Sequence, residues 1–150
     1  MRVYRITAQA YAKDPLNGIG AALSGARWNS KGVRMGYTGS SRSLVVLEML
    51  VHVSRDSVPT DRVMLPIEIP DEAIAVLDPL PPGWNKLPYQ PAVQAAGDAW
   101  IRRGDSLALR VPSAVVPSEF NVLVNPTHPR LRDVVVAAHE PLVLDARLFD

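Results

Sequence analysis

The chain has no cysteine. Disulfides and thiolate-bound metal centres are thereby excluded, and a reducing compartment suits it. An excess of either charge is also missing, with 16 Lys and Arg against 15 Asp and Glu. That balance argues against direct nucleic-acid binding and against docking on an anionic membrane. No unbroken apolar run approaches the length of a membrane span. The opening residues MRVYRITAQAYAKD lack the apolar stretch of a signal peptide, so the expectation is a soluble, cytoplasmic protein. The three histidines, His52, His128 and His139, are scattered without metal-ligand spacing, and no metal is expected. G-x-G-x-x-G, P-loop, G-x-S-x-G and H-E-x-x-H motifs are all absent. Any nucleotide bound here is therefore not held by a Rossmann or Walker device.

What is present suits one globular domain, residues 1–150, with 47% hydrophobic residues to build a core. Proline is the one skew. Its 14 residues concentrate in 79-PLPPGWNKLPYQP-91 and 112-PSAVVPSEFNVLVNPTHP-129. Proline fixes φ and removes a backbone donor, so these segments read as ordered, irregular loops. Alternation over 2–6 predicts a first strand. A long loop over 7–25 follows, then two short strands at 26–29 and 35–40. Ser40 or Ser41 can cap a helix running to about Ser54. A strand over 62–69 leads to a second strand or short helix over 72–78. A helix is expected over 91–103, with Pro91 in its first turn. Strands over 106–113 and 120–126 follow, and 133–138 and 142–149 are late strand candidates. Mixed order with more strands than helices is an α+β pattern.

The first long helix poses a question. Within 44-LVVLEMLV-51 the single acid, Glu48, sits among apolar neighbours. An unpaired buried carboxylate costs several kcal/mol, on the order of the effective ion-burial penalty. On a helical wheel Ser41, Glu48, His52 and Arg55 form one polar stripe, bordered by Leu44, Val51 and Val45. The rest of the wheel is apolar apart from the first turn, so the helix is expected to be buried on most sides. From the helix alone, a thin solvated face is the favoured reading, with Glu48 and His52 as an i, i+4 pair. The alternative is a carboxylate on the wall of a cleft.

Other polar positions carry the same duality. Arg27, after a glycine-punctuated loop, can hold a pyrophosphate through its fork of donors, or simply cover the core with its stem. Tyr37, between glycines in GYTGS, can stack on a flat ligand or pack on a sheet. Ser113 can orient a carboxylate or a sugar, or merely end a strand. Asn121 and Asn125 can bind a ligand or tie loop backbone.

Taken in order, VYRI, GARWNSKG, YTGSS, LVVLEMLVH, GDAWIRRG, LRVPSAVVP and NVLVNPTHP resemble the RES-domain family, over essentially the whole chain. The resemblance implies an ADP-ribosyltransferase-like core: two small, mainly antiparallel sheets around a cleft, with helices packed outside. It implies a toxin of a bacterial type II toxin–antitoxin pair that degrades NAD at the nicotinamide–ribose bond, by hydrolysis or phosphorolysis. The implied partner is an Xre-type helix-turn-helix antitoxin, which joins the toxin in a hetero-oligomer, blocks the cleft and binds DNA on the pair's behalf. NAD is then a substrate, and no cofactor is implied.

By the same resemblance Glu48, Arg27, Tyr37 and Ser113 are the catalytic residues, and Arg27, Tyr37, Ser113 and Asn121 bind NAD. Glu48 stabilises charge on the ribose, Arg27 holds the pyrophosphate, Tyr37 stacks on nicotinamide, and Ser113 positions Glu48 or the ribose. Two alternatives stay open: mono-ADP-ribosylation of a protein, and a non-catalytic antitoxin-binding protein. Arginine-directed transferases carry a second acid two residues before the catalytic one. Val46 stands there, which disfavours arginine as the acceptor.

Overall fold

The computed structural model describes residues 1–149, with the side chain of Arg55 outside the described part. The Arg55 position of the polar stripe is therefore not placed. Eight strands form the sheet system: β1 (Arg2–Ala8), β2 (Gly36–Gly39), β3 (Arg62–Glu68), β4 (Ile74–Val76), β5 (Ala108–Pro112), β6 (Phe120–Val124), β7 (Val135–Val136) and β8 (Glu140–Pro141). Their order is β4-β5-β6-β2-β1-β3-β7, with β8 also on β3. Only β4 and β5 run parallel among the described strands.

The sheet divides where β1 meets β2. That junction rests on one residue pair, Tyr4 with Gly39. By contrast β1 and β3 pair from Arg2–Glu68 through Ala8–Arg62. The expected two small, mainly antiparallel sheets are thus two halves joined at a single pair. They curl over a shared core, in which Val3, Leu65 and Ile67 of one half meet Ala108, Val122 and Val124 of the other. Opposite that core, Leu109, Val111 and Leu123 pack with Trp28, Met35, Val93 and Trp100. Strand alternation sends odd and even positions of β5 and β6 to these two cores.

Three helices accompany the sheet: α1 (Ile19–Ser24), α2 (Arg42–Leu50) and α3 (Pro91–Arg103). α3 has the expected bounds, with proline at its start and Gly104 in the left-handed conformation just past its end. α2 starts where Ser41 Oγ accepts from Leu44 N at 3.0 Å. It ends at Leu50, a turn earlier than expected. After a turn and irregular backbone over 51–54 comes a 3₁₀ turn, Arg55–Ser57, with Ser54 and Ser57 bonding each other's backbone in a capping box. Nor is α2 buried around most of its circumference, because Leu47 is 40% exposed and only Leu44 and Val45 are fully buried.

Three further expectations change. The 7–25 loop contains a 3₁₀ turn, Gln9–Tyr11, and α1. Residues 26–29 are no strand but a tight turn closed by Ala26 N on Asn29 O at 3.0 Å. The expected strand over 142–149 gives way to the short β8 before it and a 3₁₀ turn, Ala146–Phe149. Asp145 dictates this, since its carboxylate accepts from Arg147 N and its carbonyl from Leu148 N.

Candidate active site

A cleft of about 890 Å³ opens beside the β1–β2 junction. One wall is α2, and another is the segment after β5. Residues 26–28 and part of the first proline-rich loop complete it. Glu48 is the one carboxylate among the described lining residues, facing Arg5, Arg27, Arg62 and His52. Such a cleft favours an anionic ligand.

Glu48 reaches the site because Gly39 lets α2 lie against β2. A Cβ at Gly39 would stand 2.6 Å from Val45 Cγ1. Gly39 also pairs with Asn121 across the sheet, which brings the asparagine beneath the helix. Glu48 Oε1 accepts from Asn121 Nδ2 at 2.7 Å and from Ser113 Oγ at 2.7 Å. The direction of the Ser113 bond is set locally. Its oxygen accepts from Val115 N at 3.1 Å and Val116 N at 3.0 Å, in the tight turn after β5. A hydroxyl has two lone pairs and one hydrogen, so that hydrogen must go to the carboxylate. Ser113, fully buried, is therefore a fixed donor to Glu48. Both donors take the same oxygen, and no described side chain donates to Oε2.

Tyr37 lines the cleft, but its hydroxyl is committed elsewhere. It donates to Asn29 Oδ1 at 2.7 Å and accepts from Trp28 N at 3.1 Å. Burial pushes its pKa far above the ordinary phenol range. Tyr37 thus presents ring surface while its phenol anchors the turn that carries Arg27. Helix α3 braces that turn from behind. Gln94 Nε2 donates to Ala26 O and Asn29 O, and Asp98 Oδ1 accepts from Ser30 N. A Cβ on Gly97 would lie 1.8 Å from Trp28 O, so only glycine fits at this crossing. The GDAW segment therefore acts on the site through the 26–30 turn.

Arg27 is placed in the cleft with part of its fork occupied. Its Nη1 donates to Trp84 O at 2.8 Å and Lys86 O at 2.9 Å, and its guanidinium lies 5.1 Å from the Tyr89 ring centroid. His52 also lines the cleft, exposed in the turn after α2. Asn125 does not join the site. Its Oδ1 accepts from Thr127 N and Oγ1, which ties loop backbone.

The structure adds Arg5, which belongs to the VYRI segment but has no role in the sequence reading. Its Nη1 donates to Tyr37 O at 2.7 Å, while its buried Nε has no partner. Burial lowers its pKa, yet an arginine stays protonated. As a cation lining the cleft, with Tyr37 O its one hydrogen-bond partner among the described residues, Arg5 is suited to an anion. The signal available in the sequence was the VYRI segment itself; in the structure Arg5 shares a strand face with Val3 and Thr7, both buried, so its side chain points inward. Asn85, Leu87 and Tyr89 are further lining residues that sequence reasoning missed, because an irregular loop has no period to reveal its inward side.

No group of three or more His, Cys, Asp or Glu capable of holding a metal occurs among the described residues. Among them, too, no helix is long and apolar enough to cross a membrane.

Comparison with known proteins adds the remaining findings. A protein from Sphingobium sp. (strain YBL2) called Prs ADP-ribosylating toxin is 37% identical over 147 residues, covering 95% of this chain and 91% of that one. A protein from Photorhabdus laumondii called Toxin Res is 41% identical over 128 residues, covering 84% of this chain and 82% of its own length. In three dimensions the chain is similar to a chain in the crystal structure of the M. tuberculosis MbcT–MbcA toxin–antitoxin complex. The TM-score is 0.73 at 19% identity, over 99% of this chain and 86% of that one. The RES domain model matches residues 2–145, and the chain belongs to the RES-domain family.

Proposed function

We propose that this chain is the toxin of a bacterial toxin–antitoxin pair and that it breaks the nicotinamide–ribose bond of NAD. The observation that carries this reading is Glu48, the one carboxylate among the described residues of a cationic cleft, clamped on Oε1 by Ser113 and Asn121. In NAD the leaving group is already cationic. When the C–N bond breaks, its electron pair leaves with nicotinamide, which becomes neutral, and positive charge grows on the ribose. A fixed carboxylate stabilises that charge, and its reorganisation is already complete before reaction. Oε2 accepts from the ribose 2′-hydroxyl, a bond that strengthens in the transition state as it does at glycosidases. Ser113 and Asn121 hold the carboxylate rather than the sugar.

Arg5, which lines the cleft, holds the pyrophosphate through the part of its fork not bonded to Tyr37 O, and Arg27 joins it with the part of its fork not engaged by the loop. Tyr37 offers ring surface to nicotinamide. Neither a metal nor a cofactor is needed for this step. An antitoxin of Xre type, covering the cleft, is the proposed partner, and the cytoplasm, where NAD is abundant, the proposed site of action. The likeness to one chain of a toxin–antitoxin complex supports an antitoxin as partner, and its type and place of binding are part of the proposal.

Water or phosphate is the leading acceptor. A protein acceptor is the second reading, supported by the ADP-ribosylating toxin among the relatives. Incubating the pure chain with NAD, with and without phosphate or candidate proteins, separates them. Nicotinamide with ADP-ribose means hydrolysis, ADP-ribose phosphate means phosphorolysis, and label on protein means transfer. Failure to release nicotinamide under all these conditions would overturn the reading in favour of a non-catalytic antitoxin-binding protein.

A further inference from the structure

Glu48 lies on α2 and Arg5 on β1, so two parts of one substrate are met by two different elements. Arg42 ties these elements together. It opens α2, and its Nε and Nη2 donate to the two carboxylate oxygens of Glu140, at 3.1 and 2.7 Å. Its Nη1 donates to Tyr4 Oη at 3.1 Å, and the guanidinium lies 4.5 Å from the Tyr4 ring centroid. Tyr4 immediately precedes Arg5 and forms, with Gly39, the one residue pair that joins β1 to β2. Glu140 belongs to β8 and pairs with Met64 of β3. Tyr4, Arg42 and Glu140 are not among the residues that line the cleft.

An isolated exposed ion pair contributes little to stability. This half-exposed pair has more to it. The fork meets the carboxylate at both oxygens, which fixes angle as well as distance. The same guanidinium packs on a ring, which fixes its plane. The hydrogen bonds from Arg42 hold the Glu140 carboxyl below its ordinary pKa range, so the pair stays charged at neutral pH. The other anchors of α2 do not reach β1. Ser113 and Asn121 hold Glu48 from the ends of β5 and β6, and Ser41 caps its own helix. Among the described residues, Arg42 is the one side chain of α2 that hydrogen-bonds to β1.

We propose that Arg42 and Glu140, packed on Tyr4, are positioning residues that set the spacing between Glu48 and Arg5. The inference rests on the NAD reading and goes further by giving a task to residues outside the cleft. Glu48 follows Arg42 by about 9 Å along the helix axis. A small tilt of α2 at its first turn therefore moves the carboxylate relative to β1. NAD with its pyrophosphate on Arg5 would then present its ribose to a displaced carboxylate. A misplacement of about 1 Å can cost about 10²-fold in rate. Ser113 and Asn121 limit the movement, so the loss expected here is smaller, about tenfold.

The test is steady-state nicotinamide release from NAD by the full chain, with ADP-ribose affinity measured by calorimetry. The variants are Arg42→Gln, Glu140→Gln, the two combined, and Arg42→Lys. Each single glutamine variant should lower kcat about tenfold while ADP-ribose affinity stays within about twofold. The combined variant should lose no more than either single one, because the two residues act as a unit. Arg42→Lys keeps the charge and the stem but has no fork, so it should show the same loss, and it carries the test if a glutamine variant fails to fold. A bridge that only stabilised the fold would shift the unfolding midpoint and leave the kcat of the folded chain unchanged. That result would overturn the proposal. So would equal losses of rate and affinity, additive losses in the combined variant, or a parental kcat in Arg42→Lys. If the parent releases no nicotinamide, the NAD reading itself fails and takes this one with it. Parental rates in the variants alone leave the NAD reading standing.

Discussion

The two ends of the cleft treat charge differently. Beside α2, the carboxylate of Glu48 is tied down by two donors to one oxygen, and those donors are themselves held in place. Beside β1, the guanidinium of Arg5 is buried with one backbone contact and an unpartnered Nε. The first arrangement suits a group that must not move while charge develops. The second leaves most of a cationic fork uncommitted beside the cleft, which suits a group that meets an anionic ligand. Arg27 lies between these cases, with Nη1 bonded to the loop and the rest of its fork available.

The sharpest break in this comparison is Glu48→Gln. It keeps the shape and removes the charge, so the rate of nicotinamide release should fall about 10²-fold or more while NAD still binds. A wild-type rate would mean that the clamped carboxylate is not the reacting group. Arg5→Ala should act on the other end, weakening NAD binding by about 10- to 100-fold, the range for a hydrogen bond to a charged partner. Unchanged affinity in calorimetry would remove Arg5 from the ligand site.

Ser113→Ala should lower kcat by about tenfold with KM nearly unchanged, because it loosens Glu48 without touching the ligand. A rise in KM alone would instead place the hydroxyl on the sugar. The smallest effect is expected at Tyr37→Phe. It leaves Asn29 Oδ1 and Trp28 N short of a partner and should cost about 1–2 kcal/mol in denaturant unfolding, with NAD affinity little changed.

Much of the Glu48 end was legible in the sequence. Glu48 stands out as the single acid in an apolar run, and Ser113 and Asn121 belong to matching motifs. What no pattern shows is that these three meet, because their contact depends on Gly39 admitting α2 against β2. Asn121 and Asn125 look alike in FNVLVNP, yet one bonds Glu48 and the other its own loop. Asn121 lies within β6 opposite Gly39, whereas Asn125 lies just past the strand's end, a distinction that only the register reveals.

The arginine end was less legible. Arg27 reads from the sequence as a phosphate ligand, whereas its hydrogen bonds tie it to a loop some 57 to 59 residues away along the chain. Arg5 lies in the VYRI segment of an alternating strand, and its inward direction shows only once Val3 and Thr7 are known to be buried. The elements follow the same division. α3 and β1 announce themselves by period and punctuation. The early end of α2 carries no such punctuation, and the short β7 and β8 depend on finding space beside β3.

The most direct test of the central claim is a crystal structure of the Glu48→Gln variant with intact NAD. The account predicts the nicotinamide ribose within hydrogen-bond distance of the position-48 side chain and the pyrophosphate on Arg5. A dinucleotide bound in the opposite direction, with adenosine at position 48, would contradict it, as would a pyrophosphate that leaves Arg5 unpartnered.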